Sequence, residues 1–433
     1  MRKLFNLFAA ALVVLAAVSC EKSEVLPCDA EGKVVTLTAT IDNGGTKTFL
    51  RDEIGGNPVY WSEGDEIKVI QSTLGSGYNF GLDEGANTTT ATFECTESQA
   101  KYFNPAQPYT ALYPLSSFST ISWAPYCNIS SQSEGYVANS FSPGTMPMVA
   151  TVNSGTVMNF KNMFGIVKIT VHGREGETLQ SIDFGSNSIL RGYFKYKTDY
   201  SAFSGVLVDR VNEGKTYSSN MTLNCNTSIA SIDKEFLFAV PAGEQQFAIV
   251  LHTNKGSYYK SVSRDIVIEA GTIHIMPTIT LTEDMSIAYN GGDKGVLLGK
   301  TVWAPVNSGD DSCPQGWRVP NNAEMEKLFN PNFGRGGTMT TGWLYYNFYR
   351  DPSYAEGLWA YGETIPMQIS DGKVSNRIFL PTFPGVEYGT YLAKDGADYY
   401  VTKFNIMDNG NFTIFNSRPP VEEEQYYVRC VKE

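Results

Sequence analysis

The sequence predicts a mainly β protein of several modules, and three observations carry that prediction. Short runs alternate apolar and polar residues along most of the chain. Gly, Asn, Asp and Pro punctuate those runs at turn-like intervals. Helical periodicity is confined to one short stretch near residue 325. A length of 433 residues corresponds to two or three domains, and a hydrophobic share of 42% is enough for real cores. The abundance of Tyr (25) and Phe (24) suits strands rather than helices.

The first residues predict export. Met1-Arg2-Lys3 is basic, Leu4 to Val18 is almost wholly apolar, and small residues lead to Cys20. That order describes a secretory signal peptide over residues 1–19, too short to span a bilayer comfortably. Ala17-Val18-Ser19-Cys20 also resembles a bacterial lipobox, which implies cleavage before Cys20 and acylation of its thiol. Residues 20–32 are mostly polar and acidic, as a tether to an outer membrane would be. The net charge of −12 argues against a nucleic-acid partner, whose phosphates attract Lys and Arg.

The first module is expected over residues 33–164. In Val34 to Ile41, residues Val35, Leu37, Ala39 and Ile41 share one face and threonines the other, the pattern of a half-buried strand. Asp42 to Gly45 reads as a turn, and Val59 to Ile70 as strand, tight turn, strand. The second module is expected over 165–285. Val167, Ile169 and Val171 alternate, Phe236 to Gly243 is a strand closed by a turn, and Phe247 to Leu251 is another before the Asn254-Lys255-Gly256 turn. Regularly spaced short strands of this kind suggest sandwiches. The third module, 286–433, starts near Asn290-Gly291-Gly292, read as a flexible joint. Its helix is capped by Asn321 with Glu324 three residues on, and Met325, Leu328 and Phe329 form the apolar stripe.

Catalytic patterns are missing. The histidines, His172, His252 and His274, each fall in an apparent strand, and neither His-Glu-x-x-His nor Gly-x-Ser-x-Gly occurs. Gly295 to Thr301 has three residues between its glycines where a phosphate loop needs four. No CxxC pair points to a metal, so neither cofactor nor metal is expected. Carboxylates are plentiful, but no spacing marks an acid–base pair. Cys313 and Cys430 bracket the third module. A disulfide there would tie its first and last segments, the alternative being two buried thiols. The pairing of Cys28, Cys95, Cys127 and Cys225 stays open.

Three strings carry a resemblance. Thr46-Lys47-Thr48 followed by Trp61-Ser62-Glu63-Gly64-Asp65-Glu66-Ile67, then Met158 to Ile169, then Phe238-Ala239-Val240-Pro241-Ala242-Gly243 resemble the fimbrillin superfamily of Bacteroidetes lipoproteins. The resemblance implies two tandem transthyretin-like β-sandwiches and a fimbrial subunit at the cell surface. Cys313 to Pro320, Ala323-Glu324, Phe379-Leu380-Pro381 and Val428 to Val431 are similar to the Fibrobacter succinogenes major paralogous domain, which implies an α+β, C-type-lectin-like last module. The lectin calcium motifs are missing, so calcium-dependent sugar binding does not follow, and Met325 stands where that family often has Trp.

The fimbrillin resemblance implies assembly by strand exchange. The first strand is cut away after Arg or Lys, and a neighbour's strand fills the vacated groove. Lys47 and Arg51 are the candidate processing residues, with Arg51 in the more turn-rich stretch. Stalk subunits end in a detachable strand, whereas here a further module follows. That departure suggests a subunit that accepts but does not donate, hence a tip or minor subunit with an adhesive last module. Trp343, Tyr345 and Trp359 are candidate contacts for a surface glycan or protein, although alternate aromatics more often fill a β-core. The competing reading is a glycan-binding lipoprotein of a nutrient-uptake system that never polymerises.

Overall fold

The computed structural model describes residues 35–41, 59–71, 77–95, 102–121, 124–129, 135–138, 140–141, 144–206, 218–290, 293–308, 312–329, 345–349, 357–361, 377–381, 383, 388–406, 412–421 and 425–433. The fold over these residues is mainly β. The expected signal peptide and tether, Cys20, Cys28, Lys47, Arg51 and Trp343 lie outside them.

The first nine strands are β1 (Thr36–Ile41), β2 (Glu66–Ile70), β3 (Tyr78–Glu84), β4 (Thr90–Cys95), β5 (Tyr109–Tyr113), β6 (Phe118–Ile121), β7 (Ala124–Ile129), β8 (Met148–Val152) and β9 (Val157–Asn162). Seven of them close into a barrel in the order β1-β4-β3-β2-β5-β8-β9. Closure leaves no edge for the backbone to satisfy elsewhere. Of the expected strand–turn–strand over Val59 to Ile70, only the second strand forms. Trp61 makes two isolated backbone bonds to the loop before β4, from its N–H to the Thr88 carbonyl and from the Asn87 N–H to its own carbonyl. That is not a ladder.

The next ten strands are β10 (Phe164–His172), β11 (Thr178–Ser186), β12 (Gly192–Tyr196), β13 (Phe203–Val206), β14 (Asn220–Ser228), β15 (Asp233–Pro241), β16 (Gly243–Thr253), β17 (Ser257–Ile268), β18 (Ile273–Ile275) and β19 (Ile279–Thr280). Two four-stranded sheets face each other. In one, β10 lies between β15 and the parallel pair β18 and β19; the other runs β14-β11-β16-β17. Phe236, Phe238 and Val240 of β15 meet Phe247, Ile249 and Leu251 of β16 in the shared core, where the Phe184 and Phe238 rings stack at 4.8 Å.

The alternate residues of these strands face other modules. Leu237 and Ala239 pack with Ile70, Leu112 and Val149 of the barrel and with Phe194 and Tyr196. The layer between is a four-stranded sheet, β13-β12-β7-β6, made of one hairpin from each side of residue 164. Ala248 and Val250 of β16 pack with Tyr289, Leu297, Val302 and Trp317 of the last module. Burial on both faces explains why Phe236 to Val240 and Phe247 to Leu251 are continuously apolar rather than alternating.

The last module therefore sits on the second sandwich instead of hanging from a joint. Ala288↔Lys294 and Tyr289↔Asp293 pair as a hairpin around the expected flexible segment, and Tyr289 is buried. Asn220 clasps Gly299 twice, its Nδ2 donating to the carbonyl at 3.1 Å and its Oδ1 accepting the N–H at 2.9 Å. A Cβ on Gly185 would lie 2.0 Å from the Gly299 carbonyl oxygen, so only glycine permits this approach. The expected helix is α1 (Asn322–Leu328), with the full capping box between Asn321 and Glu324 and with Met325 and Leu328 buried. Glu324 also takes both Arg318 Nη atoms at 2.7 Å.

One buried charge pins the turn between β10 and β11. Glu177 is fully buried and accepts from the Arg174 N–H (2.9 Å), Arg174 Nε (3.2 Å) and Thr253 Oγ1 (2.8 Å). Burial alone would raise its carboxyl; the Arg174 guanidinium and N–H, with the Thr253 hydroxyl, outweigh it and hold the group below its ordinary value. A lowered folded value means that this stability is complete above the ordinary glutamate range and is lost as pH falls through the lower one.

Two outcomes follow. Glu177→Gln should destabilise the sandwich by about 2 kcal/mol at neutral pH and flatten its acid-side loss of stability, read by denaturant titration across pH. Gly185→Ala should loosen the last module from the sandwich and increase its protease sensitivity, while the barrel core stays protected.

Candidate functional site: the slot of the first strand

The site is best built from β1 outward. Its inward side chains, Val35, Leu37, Ala39 and Ile41, are all buried, with Leu37 and Ala39 fully so, while Thr36 is exposed and Thr38 and Thr40 are half-buried. β1 pairs on both sides. It runs antiparallel to β4 from Thr36↔Glu94 to Thr40↔Thr90, and parallel to β9 from Thr38↔Val157 to Ile41↔Phe160. It thus fills a slot between strands that are distant in sequence, and it closes the barrel. Without it, the facing edges of β4 and β9 would each lose a ladder.

Beneath the slot lies an aromatic cluster. Trp61 is 1% exposed and meets Phe93, Tyr113 and Phe160 edge-on, with centroids 4.9, 5.5 and 5.3 Å away. Its indole N–H meets no hydrogen-bond acceptor among the described residues. The residues after it form a tight turn. Asp65 accepts the Ser62 N–H at 2.7 Å and the Tyr113 hydroxyl at 2.9 Å, and Gly64 takes a φ of +80° that favours glycine. Burial raises the Asp65 carboxyl above its ordinary value despite these donors, and burial also raises the Tyr113 phenol, helped by the Asp65 charge. The Trp-Ser-Glu-Gly-Asp string thus supplies a core ring, a turn and the carboxylate that fixes the turn to β5. Met158 to Ile169 is the crossing from barrel to sandwich. Met158 and Phe160 enter the barrel core, Met163, Phe164 and Ile166 the layer between, and Val167 and Ile169 the sandwich core.

The other expected residues fall elsewhere. Cys313 and Cys430 are brought together as a disulfide with Cα atoms 5.8 Å apart, and Cys430 is fully buried. Cys95, Cys127 and Cys225 are thiols; burial pushes the last two up to about 12. The backbone of Tyr345 lies opposite Tyr361, and that of Trp359 opposite Asn347 and Phe379. Among the described residues no group of three or more His, Cys, Asp and Glu could hold a metal, and no helix is long and apolar enough to cross a membrane.

One arrangement escaped the sequence reading. His252 Nδ1 lies 2.7 Å from Ser257 Oγ and its Nε2 3.0 Å from Asp183 Oδ2, while Asp183 Oδ1 accepts from Thr222 Oγ1 at 2.7 Å. The four residues come one each from β14, β11, β16 and β17 and straddle the sheet. His252 and Asp183 are largely buried on the face turned toward the last module, so the array holds strands together. Only the strand register reveals it, because the residues share no motif.

No family model matches the chain, and no curated protein matches it. Among solved structures, it is similar to a candidate cell adhesion protein from Bacteroides ovatus at 12% identity, covering 57% of this chain and 92% of that one with a TM-score of 0.39. A fimbrial protein from the same species is 12% identical over 75% of this chain and 63% of that chain, TM-score 0.24. The C-terminally truncated tip fimbrial protein Mfa3 from Porphyromonas gingivalis is 11% identical over 53% of this chain and 81% of that chain, TM-score 0.25. Likeness at this level fixes no activity, substrate or partner for this chain.

The slot's packing is testable in isolation. Leu37→Ala should cost about 3 kcal/mol, whereas Thr36→Ala on the exposed face should cost under about 0.5 kcal/mol, both read by thermal or denaturant unfolding.

Proposed function

We propose that this chain is an exported surface lipoprotein of a fimbrial assembly. In this reading it is a tip or minor subunit that accepts a strand from a neighbouring subunit and presents its last module as an adhesive head. It is not an enzyme. The slot of β1 is the observation that carries the reading. A single segment supplies one whole row of the barrel core and both closing ladders, so its removal would leave a groove with apolar pockets and unpaired backbone on two sides. An incoming strand of alternating apolar residues would restore both.

Processing after Arg51 or Lys47 would release β1 from the rest of the chain, and acylated Cys20 would hold the precursor on the outer membrane until then. The last module's own pairing is compatible with an accepting role. Val431 is buried and paired with Trp303 and Arg318, and its neighbour Cys430 is bridged to Cys313. A strand tied in this way is not free to leave its own module. The transthyretin-like and lectin-like character of the modules belongs to the same proposal.

N-terminal sequencing of material sheared from the cell surface tests it. A start after Arg51 or Lys47 is expected, and Arg51→Ala with Lys47→Ala should leave the chain unassembled in the membrane. Immunogold label should mark fimbrial ends. Assembled protein that still begins at acylated Cys20, or label along whole shafts, would overturn the respective parts of the reading.

A further inference from the structure

A groove of about 960 Å³ opens between the barrel and the turn that joins β12 to β13. One wall is a row across three barrel strands, Ile70, Thr110 and Thr151, set side by side by the pairs Ile70↔Thr110 and Thr110↔Thr151. The other wall comes from Lys195 to Tyr200, with Tyr196 buried and the Tyr200 ring half-buried against it at 5.7 Å.

Three features of these walls restrict what fits. First, neither wall offers a strand edge. β5 is paired by β2 and β8, and β12 by β7 and β13, so an extended peptide would find no ladder to join. Recognition must come from side chains. Second, the groove's sign opposes the rest of the chain. Among the described lining residues Lys195 and Lys197 face one carboxylate, Asp199, which accepts from the Ser201 N–H at 3.0 Å and Oγ at 2.8 Å and feels the Lys197 charge, so the lining keeps a positive excess of a single charge. Two lysines are too few to hold a nucleic acid against a net charge of −12. Third, Tyr200 has a φ of +56°, where Asn or Gly would be at ease and a bulky ring is strained. Part of the ring packs on Tyr196 and the hydrophobic layer between barrel and sandwich, and the part left exposed lines the groove, where a ligand could stack on it.

We propose that this groove binds an acidic oligosaccharide, with a sugar ring stacked on Tyr200, hydroxyls met by Thr110 and Thr151, and a carboxylate met by Lys197. The volume lies at the upper end of small-ligand sites, too large for a lone anion and suited to several linked rings. Amphipathic rings and hydroxyls that both donate and accept are the matching chemistry. The site is separate from β1 and from the last module, so the proposal stands or falls independently of strand exchange.

The test uses the full chain with β1 in place and isothermal titration against tetragalacturonate and the neutral galactotetraose. The acidic tetramer should bind and the neutral one should bind at least about fivefold more weakly; added salt should narrow the gap. Tyr200→Asn, which relieves the positive φ but removes the ring's packing on Tyr196, and Lys197→Glu, at an exposed position, should each weaken the acidic tetramer about fivefold or more, Lys197→Glu at unchanged melting temperature. Should Tyr200→Asn lower the melting temperature, Lys197→Glu alone decides. Equal affinity for both tetramers, no binding of the acidic one, or binding indifferent to Lys197→Glu overturns the proposal.

Discussion

Burial of both faces of the second sandwich's sheets is the constraint on which the rest of the structure depends. β15 gives Phe236, Phe238 and Val240 to one core and Leu237 and Ala239 to another. β16 does the same with Phe247, Ile249 and Leu251 on one side and Ala248 and Val250 on the other. A strand covered on both faces cannot shift register by one residue without exchanging two apolar rows at once, so the register is strongly held. The three modules are therefore fixed on a common frame. The hairpin layer between barrel and sandwich and the Gly185–Gly299 approach are consequences of that frame.

The barrel is built differently. Its inner core is filled from all seven strands, only the side bearing Ile70, Leu112 and Val149 is also covered from outside, and β1 closes the ring by spanning β4 and β9. One segment thus completes a ring that the other strands leave open, and the alternation of buried aliphatic residues with threonines lets it sit there as a sheet strand with a wet outer face. Its contacts are ladders, apolar pockets and one hydroxyl pair, Thr40 Oγ1 with Thr90 Oγ1 at 3.3 Å. Under the proposed function, the rigidly framed sandwich bears the further module and the barrel exchanges a strand.

Charge is used sparingly and locally. Glu177 with Arg174, Glu324 with Arg318, and Asp65 with the Ser62 N–H each fix a turn or a helix start. Each works through directed hydrogen bonds at a chain reversal, where the backbone has donors to spare. The acidic excess of the chain leaves the lysine-lined groove as a local exception.

The sequence alone determined the strands whose patterns are local: β1 with its apolar face, the core of β10, the β16–β17 turn, and α1, whose capping box needs only residues three apart. It also marked Cys313 and Cys430 and the Trp61 string. Tertiary structure alone decided what depends on partners far along the chain. The parallel pairing of β1 with β9, the shared hairpin layer, the seating of the last module over Tyr289, the His252 array and the Tyr200 groove all join residues that no period or motif connects. A continuous apolar run such as Phe236 to Val240 states that both faces are covered, but not by what, because burial is non-directional and the covering surface comes from elsewhere in the chain.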